Sequence, residues 1–470
     1  MNATALTPRG LRAATLPVVL GLLFFSGCLE KHFVWSPDGT RAAVVAKDGL
    51  HLYDADGKLS PLLLPDVRLV AWLGDSQRLV VARSRPVDDW ASIARALGPE
   101  RTASITAEAE SLWQKLEAGG QWGILTMSLG GKKTPELLKI CLRDRHGDAL
   151  RVKLSAGDWD GLQSLHADLN ELAVARVDGG PAQAGPALYE GLEKIEDVRV
   201  APGDRAVAFT TDLSIDNDKE CRLLVARLDA AGAATVAEHT AAYPDWSPDG
   251  RAVVYVQASG AAQDELRLAT LVRREVLGAD GGVRVAEKGE DLAGLIFGSL
   301  ARARCLRDGR ILFNAPEFNL PISAKDADVE REELWAWDGA RQSTLVRMVP
   351  RGEAENLPKG LTFFEVSPDD RRVLVGGVDG EVGVLELATG EVSVWQKAGD
   401  YNLMAAPVWR NAEEITYAQR TPFVDGKRPE RFAEVVRRRA TPGPGDKEVV
   451  LSKEWSKETL ENVFSPSDRK

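Results

Sequence analysis

Residues 244–256 read PDWSPDGRAVVYV, and residues 33–46 read FVWSPDGTRAAVVA. The pentapeptide Trp-Ser-Pro-Asp-Gly therefore occurs twice, each time before an apolar run. Its proline fixes φ at the second turn position, its serine and aspartate accept local backbone hydrogen bonds, and its glycine tolerates positive φ. A turn of this kind between short apolar segments indicates a β-hairpin.

The same pattern recurs along the chain in less complete form. Its further copies are EVSPDDRRVLVGG from residue 365, RVAPGDRAVAFTT from 199, CLRDGRILFNA from 305, AWLGDSQRLVVAR from 71, HADLNELAVAR from 166 and VWRNAEEITYAQR from 408. Units tend to add a second hairpin, such as LHLYDADGKLSPLLL from residue 50. The unit starts, near residues 33, 67, 164, 198, 243, 302, 363 and 405, predict about eight, alternatively seven, units of four short antiparallel strands.

Repeated four-stranded units predict an all-β fold, a β-propeller over residues 33–470. A single blade cannot bury both of its faces, whereas radially stacked blades can. One tryptophan lies on or near the first strand of each of four units, and we expect these side chains to pack between blades: Trp35, Trp72, Trp246 and Trp409. The last residues, 461–470, look like the start of another unit, which would add a strand beside the first blade and close the ring.

The motif carries a family resemblance. Trp-Ser-Pro-Asp-Gly followed by RAVVYV is similar to the TolB-like, or WD40-like, β-propeller repeat of bacterial periplasmic proteins, a repeat that also forms the propeller of prolyl oligopeptidases. The units at Trp35 and Trp246 match closely, the unit at Val366 matches well, and the others match loosely. The resemblance implies a ring that binds proteins or ligands, and it implies little about activity because propellers host many functions.

The N-terminus predicts export. Arg9 and Arg12 precede the ten-residue apolar segment 16–25, which has the length of a signal peptide and is too short to span a bilayer. The segment ends in FSGC, residues 25–28, which resembles a bacterial lipobox with phenylalanine in place of the usual leucine. An ordinary secretory signal with an incidental Cys28 is the alternative.

The lipobox resemblance implies a signal peptide over residues 1–27, lipid on Cys28 and a short tether over residues 28–32. We therefore expect a lipid-anchored protein on the periplasmic side of the bacterial cell envelope. Leu29, rather than aspartate, follows Cys28 and favours the outer membrane by resemblance to enterobacterial sorting.

The net charge and the cysteine content limit the classes of partner and bond that we expect. The net charge of −11 and the pI of about 5.3 disfavour a general binder of phosphate backbones, so we expect no nucleic acid partner. We expect a monomer. Cys141, Cys221 and Cys305 lie far apart and outside any CxxC motif, which favours buried free thiols over a disulfide.

Residues 88–119 interrupt the β pattern with apolar residues at helical spacing on either side of Gly98 and a proline. We predict a helical hairpin inserted in the second unit. Its candidate partner contacts are Trp90, Trp113 and Leu116. The alternative is that the hairpin is a cap packed on the propeller.

No motif in the sequence supports catalysis. The five histidines form no HExxH or HxH, and there is no Gly-x-Ser-x-Gly elbow or P-loop. The segment SIDNDKE, residues 214–220, clusters oxygen ligands but lacks the glycine and distal glutamate of an EF-hand, so we expect a solvated hairpin tip. We assign no catalytic residue, and we expect neither a metal nor a cofactor.

The expected function is therefore a binding module for an envelope protein or a small ligand. Two alternatives remain open. One is an envelope assembly accessory that docks through the helical insertion, and the other is a hydrolase or lyase with its site at the axial mouth of the ring.

Overall fold

The computed structural model describes residues 31–54, 57–126, 133–177, 182–259, 267–316, 332–339, 345–348, 360–377, 380–396, 403–421, 429, 431–441, 443 and 445–464. The predicted signal peptide, Cys28 and residues 465–470 lie outside these ranges. Within them the fold is all-β and propeller-like, with one large helical insertion.

The strands form units of four, which we call blades, and within each blade successive strands pair antiparallel in chain order. Blade 1 contains β1 (Phe33–Trp35), β2 (Ala42–Val45), β3 (Gly49–Tyr53) and β4 (Leu64–Pro65). Blade 2 contains β5 (Val67–Trp72), β6 (Arg78–Val87), β7 (Ala167–Arg176) and β8 (Gln183–Gly191). Blade 3 contains β9 (Ile195–Val200), β10 (Ala206–Ser214), β11 (Asn217–Arg227) and β12 (Ala233–Thr240).

The remaining blades repeat this plan. Blade 4 contains β13 (Asp245–Trp246), β14 (Ala252–Ala258), β15 (Leu268–Glu275) and β16 (Glu290–Ile296). Blade 5 contains β17 (Ala303–Cys305), β18 (Ile311–Pro316), β19 (Glu332–Trp337) and β20 (Leu345–Arg347). Blade 6 contains β21 (Leu361–Val366), β22 (Arg372–Gly377), β23 (Val382–Glu386) and β24 (Val392–Gln396). Blade 7 contains β25 (Leu403–Trp409), β26 (Glu414–Arg420), β27 (Ala433–Arg439) and β28 (Val449–Val450).

The described residues thus form seven blades, so the expectation of eight is corrected. Five blades are separate four-stranded sheets, and blades 3 and 4 are joined into one eight-stranded sheet by the pair Thr240 and Gln257. The extra unit was the one expected to start near residue 164. Its strand β7 instead completes blade 2, because β7 pairs with β6 over ten consecutive positions on the far side of the helical insertion.

Buried apolar side chains explain why the blades form a ring. In the described part of the chain they form eight clusters, one within the helical insertion and seven between consecutive blades. The seventh of these interfaces joins blade 7 to blade 1, so the ring is closed by packing. The innermost elements are the first strands, because β1 contacts β5 and β25, β5 contacts β9, and β9 contacts β13.

The four tryptophans lie where the sequence predicts them. Trp72, Trp246 and Trp409 are buried between blades, and each indole N–H donates to a backbone carbonyl on the first strand of the preceding blade, at 2.8–2.9 Å. The indole of Trp35 donates to Thr416 Oγ1 of blade 7 at 3.0 Å. Each tryptophan therefore contributes both apolar burial and a directional bond across a blade interface.

The turn after each first strand accounts for the degenerate forms of the motif. In blades 1 to 6 its fourth residue takes a left-handed conformation, with φ of 67° at Gly250, 55° at Asp204 and 59° at Asp370. Glycine adopts this conformation without strain, and aspartate tolerates it better than most residues. The carboxylate of Asp204 accepts from the Gly74 N–H, and that of Asp370 accepts from the Arg307 N–H, each on the preceding blade. Aspartate at this position thus joins neighbouring turns.

The chain end differs from the expectation. Residues Lys457–Phe464 form a helix instead of a closing strand. Three of its side chains, Leu460, Val463 and Phe464, are buried between blades 7 and 1, and Asn462 donates to Asp48 of blade 1 at 2.8 Å. The helix therefore seals the ring through side chains, without adding a strand to blade 1.

The helical insertion is longer than predicted. It comprises α1 (Trp90–Leu97), α2 (Pro99–Gly119), a 3-10 turn (Trp122–Thr126), α3 (Thr134–Lys153) and α4 (Ala156–Gln163), and the helix at the chain end is α5 (Lys457–Phe464). The insertion begins where β6 ends, which is the end of the blades at which the first strands begin. We call this side of the ring the helical face, and the side with the motif turns the turn face. Among the described helices, none is long and apolar enough to span a membrane.

Candidate functional site

The residue just before the last position of each first strand occupies an equivalent place in all seven blades. In each blade the residue that follows the strand donates its N–H to a carbonyl at the start of the second strand or one residue before it, as Ser247 does to Ala252 at 2.8 Å and Ser367 does to Arg372 at 2.8 Å. This shared bond fixes the register of the blades. The equivalent residues, which we call the axial layer, are Val34, Ala71, Arg199, Asp245, Arg304, Glu365 and Val408.

The axial layer is divided by charge. Blades 3 to 6 contribute Arg199, Asp245, Arg304 and Glu365, so the sign of the charge alternates from blade to blade, and blades 7, 1 and 2 contribute apolar residues. Glu365 of blade 6 interacts electrostatically with Arg199 of blade 3, three blades away. Because the first strands are innermost, we place these side chains around the axis of the ring.

Lys31 adds a charge from outside the blades. This residue precedes β1, and its Nζ contacts the Glu365 carboxylate as an ion pair. Burial lowers the pKa of Lys31 to about 8; Glu365 acts in the opposite direction, and Arg199 and Arg304 lower the pKa further. Burial by itself would raise the pKa of Glu365, but Lys31 and the two arginines outweigh it and hold that pKa below its usual value. The pair is therefore ionised near neutral pH.

The other axial charges are held by the blades. Arg199 Nε donates to Asp197 Oδ2 at 2.8 Å, and the Asp245 carboxylate accepts from the Cys305 N–H at 2.8 Å. Burial, followed by the positive charge of Arg199, lowers the pKa of Arg304 to about 10. We define the axial charge cluster as Lys31, Asp197, Arg199, Asp245, Arg304 and Glu365, in which three cations face three anions.

A second polar cluster lies where blade 3 meets the helical insertion. Asp212 is buried, and its Oδ1 has no hydrogen-bond partner among the described residues. Burial, followed by the charge of Glu196, raises the pKa of Asp212 to about 7, while Lys133 and Lys194 act in the opposite direction. The adjacent thiol of Cys221 has a pKa raised to about 12, first by burial and then by these carboxylates. That thiol is therefore protonated at neutral pH and is not activated as a nucleophile.

On the outer part of blade 3, Glu220 pairs with His239 and Arg267. Glu220 Oε2 lies 2.8 Å from His239 Nδ1, and Arg267 contacts the same carboxylate. His239 has a φ of 58°, a conformation uncommon for a residue with a side chain. His239 is the residue before the last in β12 and directly precedes Thr240, which forms the pair that joins blades 3 and 4.

The predicted partner contacts lie inside the helical insertion. Trp90, Trp113 and Leu116 are 8%, 8% and 3% exposed and belong to the apolar cluster of the helices. That cluster also includes Leu192 and Ile215 of blades 2 and 3, so the insertion is packed on the ring. In this structure these three side chains pack in the interior of the insertion.

The segment 214–220 forms a hairpin tip whose Asp216, Asp218 and Lys219 are exposed, as the sequence suggested, but one of its carboxylates also has a structural role. The Asp216 carboxylate accepts from the Lys133 and Thr134 N–H groups, at 2.8 and 3.1 Å, and from the Thr134 hydroxyl. Free N–H groups at a helix start are satisfied by such oxygens. Blade 3 therefore caps α3 and fixes the insertion on the ring. In the described part of the chain, no group of three or more His, Cys, Asp or Glu could hold a metal ion.

The three described cysteines are free thiols, as the sequence suggested; Cys141 and Cys221 are buried, whereas Cys305 is partly exposed. The axial charge cluster is the feature that sequence reasoning missed. Alignment of the units on the turn would have found it, because Arg199, Asp245, Arg304 and Glu365 all stand at the same distance before the turn. Only the closed ring shows that four residues so far apart in the sequence share one site.

No protein-family model matches the chain, and no curated protein matches it. Among solved structures, the chain is similar to a prolyl oligopeptidase B from Galerina marginata, at 10% identity and a TM-score of 0.49, over 89% of this chain and 50% of that chain. It is also similar to a prolyl endopeptidase, at 12% identity and a TM-score of 0.46, over 88% and 48% of the two chains. A third structure is an oligogalacturonate lyase in complex with manganese, at 15% identity and a TM-score of 0.41, over 75% of each chain.

The chain thus spans about half the length of the two prolyl peptidase structures that it matches. At these identities the likenesses assign no activity, ligand or partner to this protein.

Proposed function

We propose that this protein is a lipid-anchored binding module of the bacterial cell envelope, on the periplasmic side and with the outer membrane favoured. The observation that carries the binding role is the axial charge cluster, in which side chains from four consecutive blades and Lys31 meet inside the ring. Ionised groups are costly to gather in a partly buried site unless they pair with one another or with a ligand. The axial layer is charged in blades 3 to 6 and apolar in blades 7, 1 and 2, which suits a ligand that has both a charged and an apolar part.

The anchor has a consequence for orientation. Cys28 precedes Lys31 by three residues, which can span at most about 11 Å when extended. Lys31 reaches the axial charge cluster from the start of β1, on the helical face. Lipid on Cys28 would therefore hold the helical face against the bilayer. The turn face would then be open to the periplasm and to a ligand or partner.

The alternative of an assembly accessory depended on exposed side chains in the helical insertion. Trp113 and Leu116 are buried, so this alternative loses the surface on which it rested. A convergent cluster of His, Asp and Arg at one mouth of the ring would favour the enzyme alternative. The axial charge cluster supplies aspartate and arginine without histidine, which favours binding.

The anchor is tested by a Cys28→Ser variant, which we expect to leave the membrane fraction and appear in the soluble periplasmic fraction. A variant that remains in the membrane fraction would contradict the lipid anchor. This outcome would leave the binding role of the axial charge cluster unaffected.

The binding role is tested by purifying the tagged, mature protein from its own envelope and identifying the components that co-purify. The test variant is the double substitution Asp245→Asn and Arg304→Gln, which neutralises one charge of each sign inside the ring. Its matched control is Asp308→Asn with Arg310→Gln, an exposed ion pair on the turn of blade 5. We expect the test variant to lose a component that the control retains. Equal retention by both variants, with both folded by circular dichroism, would overturn the axial site.

A further inference from the structure

Glu365 differs from the other anions of the axial charge cluster in the origin of its partner. Asp197 is bonded by Arg199 on its own strand, and Asp245 is bonded by the backbone of the next blade. The Glu365 carboxylate is instead paired with Lys31, which belongs to the segment before β1 and to no blade. The ring therefore supplies the carboxylate, and the N-terminal segment supplies the ammonium.

The charge balance of the site depends on this tail residue. With Lys31 present, three cations face three anions. Without it, Arg199 and Arg304 face Asp197, Asp245 and Glu365, which leaves one net negative charge on the axis. Glu365 would keep its electrostatic interactions with Arg199 and Arg304 but lose its ion pair, and a carboxylate in a partly buried site attracts a cation because solvent screens it less than at the surface.

Burial disfavours the ammonium form of Lys31, whereas the ion pair with Glu365 favours it. The pKa of Lys31 is lowered to about 8, first by burial, and the two arginines lower it further. Its side chain also remains 31% exposed, so water reaches it. Another ammonium group would therefore compete with Lys31 for the Glu365 carboxylate.

We propose that Glu365 is the ammonium subsite of the axial charge cluster and that Lys31 occupies it as a ligand in cis. The ligand class is a primary amine on a flexible aliphatic stem, specifically the lysine side chain of an extended peptide. Val34 and Ala71, which are partly exposed in the same axial layer, offer apolar surface for such a stem. This inference rests on the binding role proposed above, and it names the chemistry of one part of that site.

The test uses the full chain with Cys28→Ser, which we call the parent, and a lysine pentapeptide, acetyl-Gly-Gly-Lys-Gly-Gly-amide. Lys31→Met removes the ammonium and keeps a stem of similar length. Isothermal titration should show that the Lys31→Met variant binds the pentapeptide at least tenfold more tightly than the parent. The same pentapeptide with norleucine at its centre should not bind. Adding Glu365→Gln to Lys31→Met should abolish the gain.

Two further measurements test the ammonium subsite, a titration with n-butylamine and an NMR titration of Lys31. n-Butylamine that binds Lys31→Met as tightly as the pentapeptide would support the ammonium subsite and identify a small amine as its ligand. In NMR of reductively methylated protein, the Lys31 signal, assigned by its loss in Lys31→Met, should titrate near pH 8 in the parent. A Lys31→Met variant that melts like the parent and gains no affinity for the pentapeptide or the amine would overturn the proposal.

This outcome is separable from failure of the binding role. If the subsite fails while the Asp245 and Arg304 variant still loses its envelope component, the axial site binds a ligand of other chemistry. If the Asp245 and Arg304 variant keeps every envelope component while Lys31→Met gains affinity for the pentapeptide, the ammonium subsite exists and the envelope ligand binds elsewhere.

Discussion

Replacement of Trp246 by alanine tests how the blades hold together. Trp246 is 3% exposed and packs in the cluster between blades 3 and 4, and its indole donates to the Arg199 carbonyl at 2.8 Å. Loss of a buried tryptophan side chain typically costs about 3–5 kcal/mol of unfolding free energy. We expect a loss of that size, measured by equilibrium urea unfolding and followed by far-ultraviolet circular dichroism, since fluorescence changes with the substitution itself.

Trp246→Phe separates the two contributions. Phenylalanine keeps most of the apolar contact but leaves the Arg199 carbonyl without its donor, which should cost about 1–3 kcal/mol. The matched control is Leu268→Ala in the same blade, where the side chain is 61% exposed and the expected change is within about 0.5 kcal/mol. A loss below about 1 kcal/mol for Trp246→Ala would refute the packing role. A Trp246→Phe variant as stable as the parent would refute the contribution of the bond.

Three further substitutions test contacts that join parts of the ring. In urea unfolding, Asp204→Ala should destabilise the folded chain more than Asp204→Gly. Both variants lose the hydrogen bond from the Gly74 N–H, but only alanine is strained in the left-handed conformation of the turn. Equal losses of unfolding free energy in the two variants would contradict this. Burial raises the pKa of Asp212 to about 7. Between about pH 4 and pH 7 the folded state therefore keeps a proton on this carboxyl that the unfolded state releases. The free energy of unfolding should fall as the pH rises through this range because of Asp212. Asp212→Asn should weaken that fall in a series of thermal melts, and an unchanged slope would exclude the group. Asp216→Ala should speed amide hydrogen exchange in the first turns of α3 while Asp218→Ala does not, and equal protection in both would contradict the cap.

The repeat and the class of fold follow from the sequence because they depend on local chemistry. The turn residues, the alternating apolar strands and the tryptophans near the first strands are all short-range features, and the structure bears them out as antiparallel blades with buried indoles. The position of the first helical hairpin follows from its spacing for the same reason. The lipid anchor at Cys28 remains a prediction from the sequence.

Tertiary structure decided what depends on distant partners. The blade count fell to seven because β7 pairs with β6 across the helical insertion, and such pairing between distant segments leaves no local trace in either strand. Residues 461–464 continue a helix although their sequence resembles a repeat, because the seam between blades 7 and 1 offers an apolar site for its buried side chains. The axial charge cluster depends on closure of the ring, which brings Lys31 to Glu365 across more than three hundred residues. Each of its charges looks like an ordinary strand residue in sequence, and only their meeting at the axis makes them a site.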